Sequence, residues 1–349
     1  MKVFWSGFPG NSGGANTECW HTAKMLRANG VDLTFIPMGG ADLTWREKLE
    51  GIGCKVHLAN WDEIETVPDL KGAVVISMCN SNFIAQAHRF RDMGCPIVWV
   101  NCMTFCYGPE IAHCKKYNKT FEAYVFQSDW QRKQIEEKLT PLGYKPDQGH
   151  LIRGAFSVDE FPYNPRPRTP NDMYCVGRLS RAAGDKYSSN TWPILKLIHR
   201  WHNGKMKARV MAWSDAVKNK VGTPPAFAEC LASCAEPSQK FLGSLHCLLQ
   251  VNGGAGENWP RAGLEAMASG VPIVAQNQWG WREMIRHGET GYLSADEPAD
   301  LAFYAAMLGY DETLRLKITK RARAYVADEL ANPAKIWPHW EKMLGGLQC

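Results

Sequence analysis

The sequence has no apolar run long enough to cross a bilayer. Its longest, Ala73 to Met78 and Pro96 to Val100, are a fraction of what a membrane helix needs. The opening MKVFWSGFPG shows no signal-type apolar segment, so no transmembrane segment and a cytoplasmic location are expected. No internal repeat is evident, so a repeat array is not the plan. A strong excess of one charge is missing as well. The net charge is +5, with 17 Lys plus Arg against 18 Asp plus Glu up to residue 165 and 23 against 17 beyond it. A broad nucleic-acid face makes its own half basic, which argues against a DNA or RNA acceptor, although Lys115, Lys116 and Lys119 form a local cluster.

Metal-ligand spacing is scarce too. The twelve Cys are scattered, and Cys175 and Cys247 lie in apolar contexts that read as reduced, buried small hydrophobes. Cys102, Cys106 and Cys114 with His113 are the one grouping near ligand spacing. Their C-x3-C-x7-C pattern matches no structural zinc site well, so no metal and no cofactor are expected.

What the chain does have is size and rhythm. Its 349 residues exceed one hydrophobic core, and 45% hydrophobic with 21% charged residues describes a globular protein of two domains. KVFWS reads as a strand, GFPGNSGGAN as a Gly-rich turn, Thr17 to Asn29 as a helix and VDLTFIP as a strand, the opening of a doubly wound α/β domain. Strands at GAVVISM, PIVWVN and AYVFQS continue it, with helices at Asn82 to Met93 and Asp129 to Leu139. The segment VDEFPYNPRPRTPND reads as a Pro-rich linker, after which DMYCVGRL, KARVMAW, LHCLLQVN and VPIVAQ restart the rhythm.

The densest signal is GENWPRAGLEAMASGVPIVA, residues 256 to 275. Pro260 suits the first turn of a helix and Gly270 its stop, so Glu257 falls on the loop before the helix and Glu265 about one turn inside it. Gly253, Gly254 and Gly256 precede a helix N-terminus, where unpaired amides favour a phosphate. Two carboxylates beside a phosphate find natural partners in hydroxyl groups, a ribose and a hexose of one nucleotide sugar. The competing reading is a surface loop followed by an amphipathic helix with two solvated Glu residues.

Glu257 and Glu265 with their surroundings resemble the E-x7-E signature of retaining glycosyltransferases with the GT-B fold, particularly glycosyltransferase family 4. The resemblance covers most of the chain and is strongest from Met173 to Leu293. It implies an α/β architecture of two Rossmann-like doubly wound domains facing each other across a cleft. Residues 1–165, with a returning C-terminal helix at 333–349, would bind the acceptor, and residues 166–332 the nucleotide sugar. The alternative for WPHWEKML is a terminal helix docked on its own domain.

The resemblance also implies roles. Glu257 meets donor-sugar hydroxyls and Glu265 the ribose, while Arg178 and Lys186 neutralise the leaving diphosphate without a metal. Arg181 competes with Lys186, because the loop GRLSRAAGDKYSSN is longer than in relatives. The amides and side chains of Gly254, Ala255, Gly256, Asn258 and Trp259 complete the donor loop. Gly13 and Gly14 match the glycine loop that faces the donor, with a simple tight turn as the competing reading. Trp213 offers a stacking face for the base, unless it is a core Trp.

Some positions depart from the pattern. Asn101 and Cys102 stand where relatives often have a His, and His246 stands where they tend to be acidic. His21 occupies the helix that carries the catalytic base in inverting relatives and reads as a helix-surface His. The expected activity is retaining transfer of a hexose from a UDP-sugar, such as UDP-glucose, to a hydroxyl of a glycan, a lipid-linked sugar or a small molecule. Two alternatives stand beside it. One is a virus-type DNA glycosyltransferase that acts on a hydroxymethylated base flipped from its stack, using Phe90, Arg91, Phe105, Tyr107, Lys115 and Lys116. The other is a sugar-nucleotide epimerase of the same fold, for which the first domain shows no extra carboxylate cluster.

Overall fold

A computed structural model describes residues 1–11, 13–169, 171–295 and 297–348. Ser12 of the Gly-rich turn, Pro170 of the Pro-rich segment and Cys349 of the expected returning segment lie outside them. The chain divides into two compact units. The first is Met1–Phe156 with the chain from Ala331 onward, and the second is Ser157–Leu330. Among the described residues no helix is long and apolar enough to cross a membrane.

The first unit is built on seven strands: β1 (Lys2–Ser6), β2 (Asp32–Ile36), β3 (Lys55–Val56), β4 (Val74–Met78), β5 (Ile97–Val100), β6 (Ala123–Phe126) and β7 (Gly149–Leu151). All pair in parallel, in the order β3-β2-β1-β4-β5-β6-β7. The second unit repeats the winding with β8 (Tyr174–Leu179), β9 (Met206–Met211), β10 (Ala228–Leu231), β11 (Cys247–Gln250), β12 (Ile273–Gln276) and β13 (Tyr292–Ser294), in the order β10-β9-β8-β11-β12-β13. Central strands such as VVIS, IVWV and CLLQ are buried along their length, as parallel strands covered by helices on both faces must be. In each sheet the strand order reverses once, between β1 and β4 and between β8 and β11. Open α/β sheets of this kind take ligands in the crevice at the carboxyl ends of those strands.

The sequence reading assigns no element to the Leu43–Gly51 and Gly108–Tyr117 helices or to β10 and β13. β10 is a partly polar strand at the sheet edge and β13 is three residues long, so neither carries an apolar run. The Pro-rich segment is not a free linker. Asn164 N donates to Ser269 O at 3.1 Å, Arg166 Nη1 to Ser244 O at 2.6 Å and Arg168 N to Glu312 Oε1 at 3.0 Å. These bonds fasten the segment to the body of the second unit. The boundary therefore falls at Phe156, ahead of the expected 165. The Pro333–Gly346 helix returns to the first unit, where Ile336, Trp340, Met343 and Leu344 join a core with Val3, Trp5, Ala23 and Leu26.

Several expected surface or ligand groups are interior. His21 is buried, its ring 4.7 Å from Phe156, so it is not a helix-surface His. Phe90 is fully buried and cannot serve as a wedge for a flipped base. Arg91 is engaged with Thr120 O, and the Tyr107 ring packs 5.9 Å from that of Trp99. Phe105, Lys115 and Lys116 are exposed. Among the described residues no three His, Cys, Asp or Glu gather as metal ligands. His113 meets Arg91 Nη1 at 3.1 Å, and Cys114 is buried beside Tyr124.

One buried carboxyl gives the first unit a pH signature. Glu110 is fully buried on the Gly108–Tyr117 helix. Its Oε2 accepts from Tyr107 N at 3.1 Å. Burial pushes the carboxyl from an ordinary 4.5 up to about 7. The folded state therefore holds this proton more tightly than the unfolded chain. Stability from this group is complete below about pH 4.5, falls by about 1.4 kcal/mol per pH unit up to about 7, and is constant above. Glu110→Gln should abolish that slope. In urea unfolding, the stability difference between variant and wild type should change by about 3 kcal/mol from pH 4.5 to 7.5. Parallel pH profiles would refute the assignment.

Candidate functional site

The carboxyl ends of β8 and β11 in the second unit carry the residues that the sequence singles out. Arg178 lies one residue before the end of β8, and its side chain is buried. Nη1 donates to Gln250 Oε1 at 2.7 Å, and Nη2 donates to Asn252 Oδ1 at 3.2 Å and to the Lys186 carbonyl. The guanidinium also stands 4.6 Å from the Tyr187 ring centroid. Burial pulls its pKa down, opposed by Tyr187 and Glu257. These bonds tie the Gly184–Lys186 turn to the end of β11. In this structure Arg178 is a buried brace rather than an open cation.

The cation that brace presents is Lys186. Its Nζ lies 2.9 Å from Glu257 Oε1, with the two side chains only 13% and 17% exposed. Asn252 Nδ2 donates to the same carboxylate oxygen at 3.0 Å and to Ala255 O at 3.0 Å. Arg181, its competitor in the sequence, pairs loosely with Asp185 at 3.7 Å on the surface. Arg178, Lys186 and Glu257 therefore form one connected group.

The loop from 252 to 258 is held by backbone. Gly253 N and Ala255 N both donate to Asp185 O, at 3.1 and 3.0 Å, and Gly280 N donates to Glu257 O at 2.8 Å. A Cβ at Gly253 would overlap the Tyr187 carbonyl oxygen, and one at Gly280 that of Asn258. Gly254 has φ +133, a conformation that side chains disfavour. Asn258 and Trp259 are buried.

Pro260 is the N-cap and not the first helical residue, and the Arg261–Ser269 helix ends on left-handed Gly270, φ 85. Nearly every residue of this helix is buried, which is the mark of a helix between layers and not of an amphipathic surface helix. Glu265 is buried on it. Burial pushes its carboxyl up to about 7, against the pull of Arg261 and a hydrogen bond with Ser238. The two Glu residues are thus unlike: Glu257 is paired with a cation at the mouth, and Glu265 is an interior carboxyl close to its ionisation point at neutral pH.

Gly13, φ 96, caps the Gly14–Ala28 helix of the first unit, beyond the end of β1. Trp213 is half-buried, its ring 5.7 Å from Trp192 at the margin of the second core. His246 sits at the start of β11, the opposite end from the site. Its Nδ1 accepts from Cys175 N at 2.9 Å and its Nε2 meets Pro167 O at 3.3 Å. Burial lowers its pKa to about 4, so it is a neutral clamp on the Pro-rich segment. The sequence reading overlooks Gln250, Asn252 and Gln276, which knit the strand ends. Gln276 Oε1 accepts from Asn252 N at 2.7 Å. A polar residue closing an otherwise apolar strand, as in CLLQ and IVAQ, is the signal that marks Gln250 and Gln276.

Residues 241–325, which contain the glycine loop, both Glu residues and their helix, match the family described as glycosyl transferases group 1. N-acetyl-alpha-D-glucosaminyl L-malate synthase of Bacillus anthracis is 40% identical over 67 residues, which make up 19% of this chain and 18% of that protein. The match thus spans less than a fifth of that relative's length. HepE of Anabaena, solved with UDP-glucose, superposes with a TM-score of 0.74 at 16% identity, over 99% of this chain and 100% of that one. A TarM variant of S. aureus, solved with fondaparinux, alpha-GlcNAc-glycerol and UDP, gives a TM-score of 0.72 at 11% identity, over 98% and 99%. Residues 241–325 thus resemble glycosyl transferases group 1, in a chain whose two parallel-sheet units share the fold of HepE and TarM.

Proposed function

We propose that this protein is a retaining glycosyltransferase that moves a hexose from a UDP-sugar, UDP-glucose or a relative, to an acceptor hydroxyl. The observation that carries the reading is the Lys186–Glu257 pair at the crossover of β8 and β11, beside a glycine loop with backbone amides. A departing nucleoside diphosphate needs fixed positive charge, and a nearby carboxylate needs hydroxyl donors. A nucleotide sugar supplies both needs in one molecule.

In this mechanism the Lys186 ammonium and the amides of Gly254, Gly256 and Glu257 stabilise the diphosphate as its bond to the anomeric carbon breaks. Glu257 accepts hydrogen bonds from the sugar and fixes its face. Arg178 acts through Lys186 by holding the carbonyl of that residue. The acceptor oxygen attacks from the leaving-group side and its proton passes to the departing phosphate oxygen, so configuration is kept. Catalysis is then positioning and charge stabilisation, with neither metal nor cofactor. Glu265 holds the ribose hydroxyls, Trp213 lies near the base, and the first unit takes the acceptor. Support for a UDP-sugar comes from the ligands of HepE and TarM, and support for a sugar or polyol acceptor from the alpha-GlcNAc-glycerol bound to TarM. The cytoplasm, where nucleotide sugars are made, is the proposed compartment.

Thermal stability with a panel of nucleoside diphosphates tests the donor. UDP at a hundred times its Kd should add about 2.7 kcal/mol to the folded state. Lys186→Ala should lose most of that gain and about 100- to 1000-fold in turnover. Glu257→Ala should cut turnover far more than UDP binding. Small, equal effects of both variants on both quantities would remove the assignment.

A pH dependence separates the second carboxylate. The ionised form of Glu265 accepts ribose hydroxyls, and in the free protein it becomes dominant only above about pH 7. UDP affinity should therefore rise as pH increases through 7 and level off above it. Titration calorimetry on Glu265→Gln should show weaker binding without that rise. An unchanged pH profile in the variant would place the ribose elsewhere.

A further inference from the structure

At the carboxyl edge of the first sheet two cysteines meet that the transfer chemistry does not use. Cys79 follows β4 directly and Cys102 lies two residues beyond β5, its pairing partner. We propose that Cys79 and Cys102 form a redox-active dithiol that exchanges with small disulfides and closes to an intramolecular disulfide.

Four observations carry this. Cys102 N donates to Cys79 Sγ at 3.0 Å. That nitrogen is one bond from its own Cα, so Cys102 Cα lies within roughly 4.5 Å of the Cys79 sulfur, inside the reach of a bridge. Cys79 N also donates to Val100 O at 3.1 Å, which holds the ends of β4 and β5 side by side just where the two cysteines leave them. Cys79 has φ +49, a left-handed backbone that a side chain rarely adopts and that points to a constrained position. Both cysteines are partly exposed, in contrast to buried Cys175 and Cys247.

The donors favour the thiolate. The side-chain bond from Cys102 lowers the Cys79 pKa most, with the amide of Cys102 and Tyr107 adding to it and outweighing burial and the nearby Glu18. Burial drives Cys106 and Cys114, on the same stretch of chain, the opposite way, to about 12 and 11. As a thiol Cys79 has only a distant acceptor, Val100 O at 3.8 Å.

The exchange balances as follows. The Cys79 thiolate attacks one sulfur of a small disulfide, forming a mixed disulfide and releasing one small thiolate. Cys102 gives its proton to solvent and attacks the Cys79 sulfur, releasing the second thiolate. The protein loses two hydrogens, and the small disulfide becomes two thiols. Neither step draws on the sugar-transfer reading.

The test uses the full chain, reduced, at pH 7. Iodoacetamide labelling followed by mass spectrometry should show Cys79 modified roughly five-fold faster than exposed Cys234. Oxidised glutathione should then yield a Cys79–Cys102 crosslink, two mass units lighter, which dithiothreitol reverses. In Cys102→Ser the reaction should stop at a glutathione adduct on Cys79. Labelling of Cys79 no faster than Cys234, or glutathione spread over other cysteines without the crosslink, would overturn the proposal. The wild-type labelling decides even if the variant fails to fold.

Discussion

The candidate site depends on a buried guanidinium. Arg178 lies inside the second unit, where an unsatisfied charge would cost several kcal/mol, so the loops around it are obliged to bring oxygens to it. Gln250 from β11, Asn252 from the glycine loop and the carbonyl of Lys186 all answer that demand. Because the ligand oxygens belong to three different segments, satisfying one side chain fixes the relation of all three. Lys186 then extends over Glu257 from a turn that has no freedom to swing away, and Asn252 holds that carboxylate from the other side. Such networks stand or fall as units, which is why removing any member should be felt at the mouth.

Much of this was legible in the sequence, and the limits of legibility have physical causes. The parallel strands announced themselves because burial on both faces leaves an apolar run and nothing else. The Arg261–Ser269 helix announced itself by Gly270, whose φ of 85 is open to glycine and costly elsewhere. Glu257 and Glu265 stood out by their spacing around a helix start, and Lys186 only through the resemblance. What stayed hidden was direction. Nothing in VGRL tells whether Arg178 points at solvent or beneath the loop, and only the partners reveal that it points beneath. The same holds for His21 and Phe90, which are interior because of what packs over them and not because of their neighbours in the chain.

The Pro-rich segment shows the same lesson in the backbone. Prolines there suggested a tether, and in the structure the segment is a strap fastened to the second unit through the Asn164 and Arg168 amides and the Arg166 side chain. His246, a departure from the expected acidic residue, turns out to serve that strap at the amino end of β11, away from the ligand edge. At the ligand edge of the first sheet, Asn101 and Cys102 replace the usual His. Asn101 shapes its own loop through Phe105 O and Met103 N, and Cys102 turns its amide to a sulfur.

The return of the last helix bears on how the protein is made. Phe156 N donates to Ala331 O at 2.9 Å, so the chain leaves the first unit and re-enters it at one place. The second unit is thus an insertion. During synthesis the first unit is exposed early yet lacks Ile336, Trp340, Met343 and Leu344 until the end. At ribosomal speed the intervening segment takes roughly 10 to 35 s to appear. Over that interval the apolar surface around Val3, Ala23 and Leu26 has no permanent cover, and the second unit can finish folding before the first. The chain of the second unit is therefore complete before that of the first.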